Sequence, residues 1–259
     1  MKIVRYQFGK KISYGVIDKD LIQGYRGNPF GKKPNFKPDG GHVHVKEVTL
    51  LAPCLPSKVV CLGLNYRHHA QEFNMPIPEI PLLFLKPSTS VIGPEATIML
   101  PAMAERIDYE CELAVVIKKE AKNVPEEKYA DYILGYTCFN DVTDRVAQAK
   151  DGQWTRAKGY DTFAPLGPWI ETDVEPSDLK IETCLNNEVK QSSRTSDLIF
   201  GIPRLVSFIS RIMTLLPGDV IATGTPSGVG QIKHGDVVEV IIEKIGTLRN
   251  SAVSKETQQ

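Results

Sequence analysis

The chain has 259 residues, 42% hydrophobic and 24% charged, a globular composition with room for one large domain or a large and a small one. Its 31 Lys+Arg balance 31 Asp+Glu, so no net field draws it to a phosphate backbone or an anionic lipid surface, and neither nucleic acid nor membrane is expected as a partner. No stretch approaches the roughly 18–20 uninterrupted apolar residues that span a bilayer, and MKIVRYQFGK lacks the apolar core of a signal peptide, so a cytoplasmic protein is expected.

Residues 1–55 read as a small β-rich lobe. Ile3–Phe8 and Tyr14–Ile17 are strand-like runs about the Gly9-Lys10-Lys11 turn, and Asn28-Pro29 and Asp39-Gly40-Gly41 break the chain again. Pro53 and Pro56 mark a boundary near Leu51–Ser57, after which residues 56–259 form the second, larger domain. There the apolar runs are short: Val59–Leu62, Leu113–Ile117, Tyr132–Phe139, Trp169–Glu171, Leu179–Leu185, Val220–Thr223 and Val237–Ile242. Helical signals are few. Asn65 is placed to cap a short helix through about Phe73. Pro203 opens another, with Leu205, Val206, Phe208, Ile209, Ile212, Met213 and Leu216 at helical spacing before Pro217-Gly218 stops it. Many strands, few helices and no βα alternation predict a mainly β fold, sandwich or barrel, with minor helical elements. Five cysteines (Cys54, Cys61, Cys111, Cys138, Cys184) form no CxxC pair and read as reduced, mostly buried thiols.

The segment D-Y-E-C-E-L-A-V-V-I, Asp108–Ile117, carries the first chemical signal. Residues two apart in a strand share a face, so Glu110 and Glu112 point together, ahead of Ala114 and Val116. Two bare anions leading into an apolar face are costly to bury, and a hard divalent cation with oxygen ligands removes that cost. The bland alternative is a strand end whose glutamates meet solvent or Arg106. Asp141, in F-N-D-V-T-D-R just past the run 132–139, adds a third carboxylate. Such a set suits Mg²⁺ or Mn²⁺, and no His/Cys set argues for zinc.

These segments, together with G-L-N-Y-R-H-H-A-Q-E (Gly63–Glu72), Q-W-T-R-A-K-G-Y-D-T-F-A-P-L-G-P-W (Gln153–Trp169) and T-G-T-P-S-G-V-G (Thr223–Gly230), resemble in order the fumarylacetoacetate hydrolase family. Within it they resemble the bacterial branch of 2-hydroxyhepta-2,4-diene-1,7-dioate isomerases and acylpyruvate hydrolases. Five collinear motifs carry the resemblance over about residues 55–245. It implies a β-rich, barrel-like catalytic core, a homodimer, a place in aromatic catabolism, and 2-oxo or enol acid substrates chelated by Mg²⁺ or Mn²⁺. Glu110, Glu112 and Asp141 match the metal ligands. His69 matches the family's lid histidine, with Glu72 three residues on to orient the imidazole so that it takes a proton from water. His68 is the neighbour that helix spacing also permits.

Lys158 matches the lysine near the substrate, suited to a developing oxyanion. Arg145 and Gln148 match the family's R-x-x-Q and are expected on substrate oxygens; the acidic position between them is Val146 here. Cys111 stands where glycine is usual between the two glutamates, and its side chain is expected to face away from the metal. Thr223–Gly230 lacks the lysine of a phosphate-binding loop, and its backbone N–H groups are suited instead to a carboxylate, with Thr225 as the direct contact. The three prolines of Phe73–Pro81 make that stretch part of a lid. The reaction expected is hydrolysis of a C–C bond in an acylpyruvate-type 2,4-dioxo acid through an enolate. The same metal site also serves isomerisation of a 2-hydroxy-dienoate or decarboxylation of oxaloacetate, and a non-catalytic dicarboxylate-binding homologue is the reading from another class.

Overall fold

The computed structural model describes residues 1–72 and 74–254; Phe73, where the first predicted helix was to end, and the last five positions of the second predicted domain lie outside the described residues. The chain opens with an antiparallel meander, β1 (Lys2–Phe8), β2 (Lys11–Asp18), β3 (Leu21–Arg26) and β4 (Lys37–His44), and β5 (Thr49–Leu51) returns along β1. Val4, Tyr6, Ile17 and Ile22 are buried in a core of their own, packed against Trp169.

There follow β6 (Lys58–Gly63), α1 (Arg67–Glu72), β7 (Leu82–Pro87), β8 (Val91–Ile92), β9 (Ile98–Leu100), β10 (Ile107–Tyr109), β11 (Cys111–Ile117), β12 (Ile133–Asn140) and β13 (Thr143–Asp144). Two short helices, α2 (Arg145–Asp151) and α3 (Thr155–Lys158), lead to β14 (Ala164–Glu171), β15 (Lys180–Leu185) and β16 (Glu188–Arg194). After α4 (Ile202–Ile212) come β17 (Val220–Ala222), β18 (Gly230–Gln231), β19 (Val237–Ile242) and β20 (Gly246–Ser254).

The fold is mainly β. One large sheet runs β4-β3-β2-β1-β14-β12-β11-β17-β6-β7, with β5 on β1 and β8 on β14. A second runs β16-β15-β19-β20-β9, and a small one joins β13-β10-β18. The largest core lies where β11, β12 and β17 meet β15, β19, β20 and α4, and includes Leu113, Ile181, Leu205, Ile209, Ile221 and Val240. The other face of the large sheet buries Val59, Ala114, Val116, Phe139, Leu166 and Ile170. β17, and β11 beyond Glu112, are apolar on both faces because both faces are covered.

Two predicted helices end or begin differently. The second stops at Ile212 rather than Leu216, because Leu215 turns away to exchange backbone hydrogen bonds with Ala121 (2.9 and 3.0 Å). In the first, Asn65 is drawn away from capping α1 by tertiary partners. Its Nδ2 donates to the carbonyls of Phe200 (3.1 Å) and Thr223 (2.8 Å), and its Oδ1 accepts from the Phe200 N–H (2.8 Å). The amide fastens the base of α1 to two distant loops.

Candidate active site

Glu110 falls between β10 and β11, where the chain passes from the small sheet into the large one. Its backbone is held from both sides: the N–H donates to Asn140 Oδ1 (3.0 Å), and the carbonyl accepts from the Asp141 N–H (2.9 Å). Glu112 follows two residues later, with Ala114 and Val116 beyond it on one face, while Cys111, Leu113, Val115 and Ile117 enter the core on the other. Asp141 follows directly on β12, whose Asn140 is paired with Cys111. This register brings carboxylate oxygens of Glu110, Glu112 and Asp141 within 4.8 Å of one another, all three residues buried.

Three cations stand around them. Lys158 Nζ donates to Glu110 (2.8 Å) and Asp141 (2.5 Å). Lys86 Nζ donates to the other oxygen of Asp141 (2.5 Å) and to the Val142 carbonyl (3.0 Å). Arg145 spends Nε on Asp108 (3.0 Å), one terminal nitrogen on Glu110 (2.5 Å) and the other on Gln148 Oε1 (2.6 Å). Arg106 pairs with Asp108 rather than with either glutamate. Burial alone would push Glu110 up, but Lys158 and then Arg145 outweigh it and hold the carboxyl down at about 2. Burial likewise opposes the Lys158 charge, yet Asp141 and Glu110 carry its pKa upward.

Glu112 has the opposite surroundings. No cation lies within ion-pair distance of it among the described residues, and it accepts the Gly224 N–H (2.8 Å). Burial, then Asp141 and Glu110, push its carboxyl well above the usual carboxylate range. Gly224 adopts φ +97°, and a Cβ there would fall 2.8 Å from that of Asn65, so the turn delivering this N–H needs glycine. A buried all-oxygen trio with one carboxylate lacking a countercharge fits a hard divalent cation such as Mg²⁺ or Mn²⁺.

On α1, His69 Nδ1 lies 3.0 Å from Glu72 Oε2, and Glu72 Oε1 accepts the Gly228 N–H (3.3 Å). The His68 ring instead faces Asp197 (2.9 Å) and is largely exposed. Two N–H groups of the Thr223–Gly230 loop thus hold the protein's own carboxylates, Glu112 and Glu72. Thr225 Oγ1 accepts from Gln191 Nε2 (2.9 Å), whose Oε1 in turn accepts the Cys111 N–H (3.1 Å).

A cavity of about 570 Å³ opens over this cluster. Of the residues singled out in the sequence, Glu110, Glu112, His69, Arg145, Gln148, Lys158 and Thr225 line it. Asp141 sits behind the wall, beneath Lys86 and Lys158, and Glu72 braces His69 from outside. Sequence reasoning missed Lys86, Asn140, Gln191 and Trp154. Lys86 was traceable: a lysine in the apolar run L-L-F-L-K-P, two residues after Phe84 and so on its face, is out of place unless it meets an acid. It also missed α2, a largely polar helix whose Asp144 caps Ala147 (3.1 Å).

Comparison with known proteins adds the following. Residues 58–253 match the fumarylacetoacetate (FAA) hydrolase C-terminal family, and residues 1–53 match the Rv2993c-like N-terminal family. The 5-carboxymethyl-2-hydroxymuconate delta-isomerase of Mycobacterium smegmatis superposes with a TM-score of 0.92 at 48% identity, over 98% of this chain and 100% of that one. The mitochondrial oxaloacetate tautomerase Fahd2a of Rattus norvegicus is 41% identical over 80% of this chain and 70% of its own. A maleylpyruvate hydrolase of Sphingobium sp. SYK-6, solved with manganese(II) and pyruvate, has a TM-score of 0.82 at 28% identity, over 99% and 100% of the two chains.

Proposed function

The chain belongs to the fumarylacetoacetate hydrolase family, and on that premise we propose that it hydrolyses a carbon–carbon bond in an acylpyruvate-type 2,4-dioxo acid. The observation that carries this reading is the His69–Glu72 pair facing the same cavity as the carboxylate trio. A water nucleophile needs a base, and a paired imidazole beside the substrate site supplies one. Glu72, itself anchored by the Gly228 N–H, sets the ring; His69 takes a proton from water as the oxygen attacks the C4 carbonyl. The C3–C4 bond then breaks, the acyl group departs as a carboxylic acid, and the pyruvate half leaves as an enolate that is reprotonated at C3. Lys158, kept charged by its two carboxylate partners, lies in the cavity wall where that negative charge develops. Glu110, Glu112 and Asp141 would hold Mg²⁺ or Mn²⁺, which when bound polarises a 2-oxo oxygen. Arg145 and Gln148 would orient the substrate acid.

A second reading, tautomerisation of oxaloacetate or isomerisation of a hydroxy-dienoate, is favoured by the names of the rat and mycobacterial relatives, and decarboxylation of oxaloacetate would use the same metal site. These reactions need no activated water. Initial rates on an acylpyruvate, oxaloacetate and a 2-hydroxy-dienoate, each with Mg²⁺, Mn²⁺ and EDTA, separate the readings. Metal-dependent cleavage of the acylpyruvate is expected; turnover of oxaloacetate or the dienoate alone selects the second reading. No turnover of any of the three leaves only the binding homologue.

A further inference from the structure

The cavity has two unlike ends, and the chemistry above uses only one. Away from the carboxylates the described lining is apolar: Met75, Pro76 and Pro78 from the segment after α1, Leu82 and Phe84 from β7, and Trp154 from the turn before α3. Contacts set their order outward from the acid cluster. Lys158 Nζ lies 5.0 Å from the centre of the Phe84 ring. Phe84 meets Trp154 edge to face at 5.2 Å. Trp154 lies so close on Gly63 that a Cβ there would come within 2.7 Å of the indole and within 3.0 Å of Leu82. Leu82 and Met75, at the far end, are 51% and 52% exposed.

That wall presents no charge. The lysine and arginine among the described lining residues, Lys158 and Arg145, both stand at the carboxylate end, paired with Glu110, and His69 faces Glu72. A neutral acyl tail laid along Phe84, Trp154 and Leu82 would bury apolar surface on both partners, worth about fourfold in affinity per methylene. A distal carboxylate in the same place would be stripped of water with no cation to meet it.

We propose that Phe84, Trp154 and Leu82 form a tail subsite that selects neutral apolar acyl groups and rejects a second carboxylate. The proposal rests on the reading that a 2-oxo acid head binds at the carboxylate end. It sets this chain apart from relatives whose named compounds, a carboxymethyl muconate and oxaloacetate, carry that second acid. Calorimetry on the Mn²⁺-loaded protein with unreactive probes tests it: oxamate as the head alone, N-butyl oxamate, and N-(3-carboxypropyl) oxamate. N-butyl oxamate is expected to bind at least tenfold more tightly than oxamate, and the carboxypropyl probe no more tightly than oxamate. Leu82→Lys should raise the ratio of carboxypropyl to butyl affinity at least tenfold. Oxamate binding with tails that make no difference, or with the carboxypropyl tail as good as butyl, overturns the subsite and leaves the proposed reaction standing. Failure of all three to bind overturns the head placement and the subsite with it.

Discussion

Glu110 and Glu112 are two residues apart in the chain yet sit in opposite electrostatic surroundings. Glu110 is tied to Lys158 and Arg145, whereas Glu112 has a single backbone N–H and two like-charged neighbours. Glu112→Gln removes the negative charge that lacks a countercharge. It should weaken Mg²⁺ or Mn²⁺ binding about tenfold or more by calorimetry. In EDTA the same variant should melt no lower than the parent, because an amide replaces a buried acid at equal size; undiminished metal affinity would exclude Glu112 as a ligand. His69→Ala should slow acylpyruvate hydrolysis by about 10²–10⁴, the usual worth of a general base, with metal affinity unchanged. His68→Ala should be mild, since that ring faces Asp197. The three carboxylates and the histidine were legible because their motifs are short and local. Lys86 betrayed itself only as a lysine in an apolar run, its partner Asp141 standing 55 residues away, and Gln191 gave no local sign, because its partner Cys111 stands 80 residues away.

Among the elements, apolar strands in the interior of their sheets were the easiest to read: Val237–Ile242 was predicted to the residue, and β11 and β12 to within two at either end. β16 and β20 escaped, since their polar and charged positions break the apolar run that marks a strand. α1 is the more instructive case. Its sequence offers a cap, but the supposed cap residue is one of the fastenings that hold a six-residue helix, too short to stand alone, against the body. Asn65→Ala removes three hydrogen bonds and strands buried partners, so a loss of about 2–4 kcal/mol in urea unfolding is expected. Because α1 carries His69, the rate should fall as well. A variant with parental stability would place the anchoring elsewhere.

For the molecule as a whole, family resemblance is what proposes a homodimer, and light scattering that finds only monomer at micromolar protein removes it. All five thiols are buried and unpaired, so none should react with a thiol reagent until the protein is unfolded. Burial, followed by Asp219, pushes the Cys54 thiol up to about 12 from an ordinary 9.0. The folded state therefore keeps a proton that the unfolded state loses. The stability this thiol contributes is complete below about pH 9 and drains away as pH climbs toward 12. Melting between pH 8 and 10.5 should fall less steeply in Cys54→Ala than in the parent. The amino-terminal meander belongs to the same hydrogen-bonded sheet as the site: β1 pairs with β14 at Lys2–Glu171 and Ile3–Ile170, and β14 pairs with β12, which leads into Asp141. That continuity limits how the chain can be recombined. A chimera that takes residues 1–53 from a relative must bring a first strand that seats on Ile170 and Glu171, so the segment is inherited as a fitted part rather than an exchangeable cassette. Expressed without it, residues 56–259 would show a bare strand edge to other copies and should collect in the insoluble fraction.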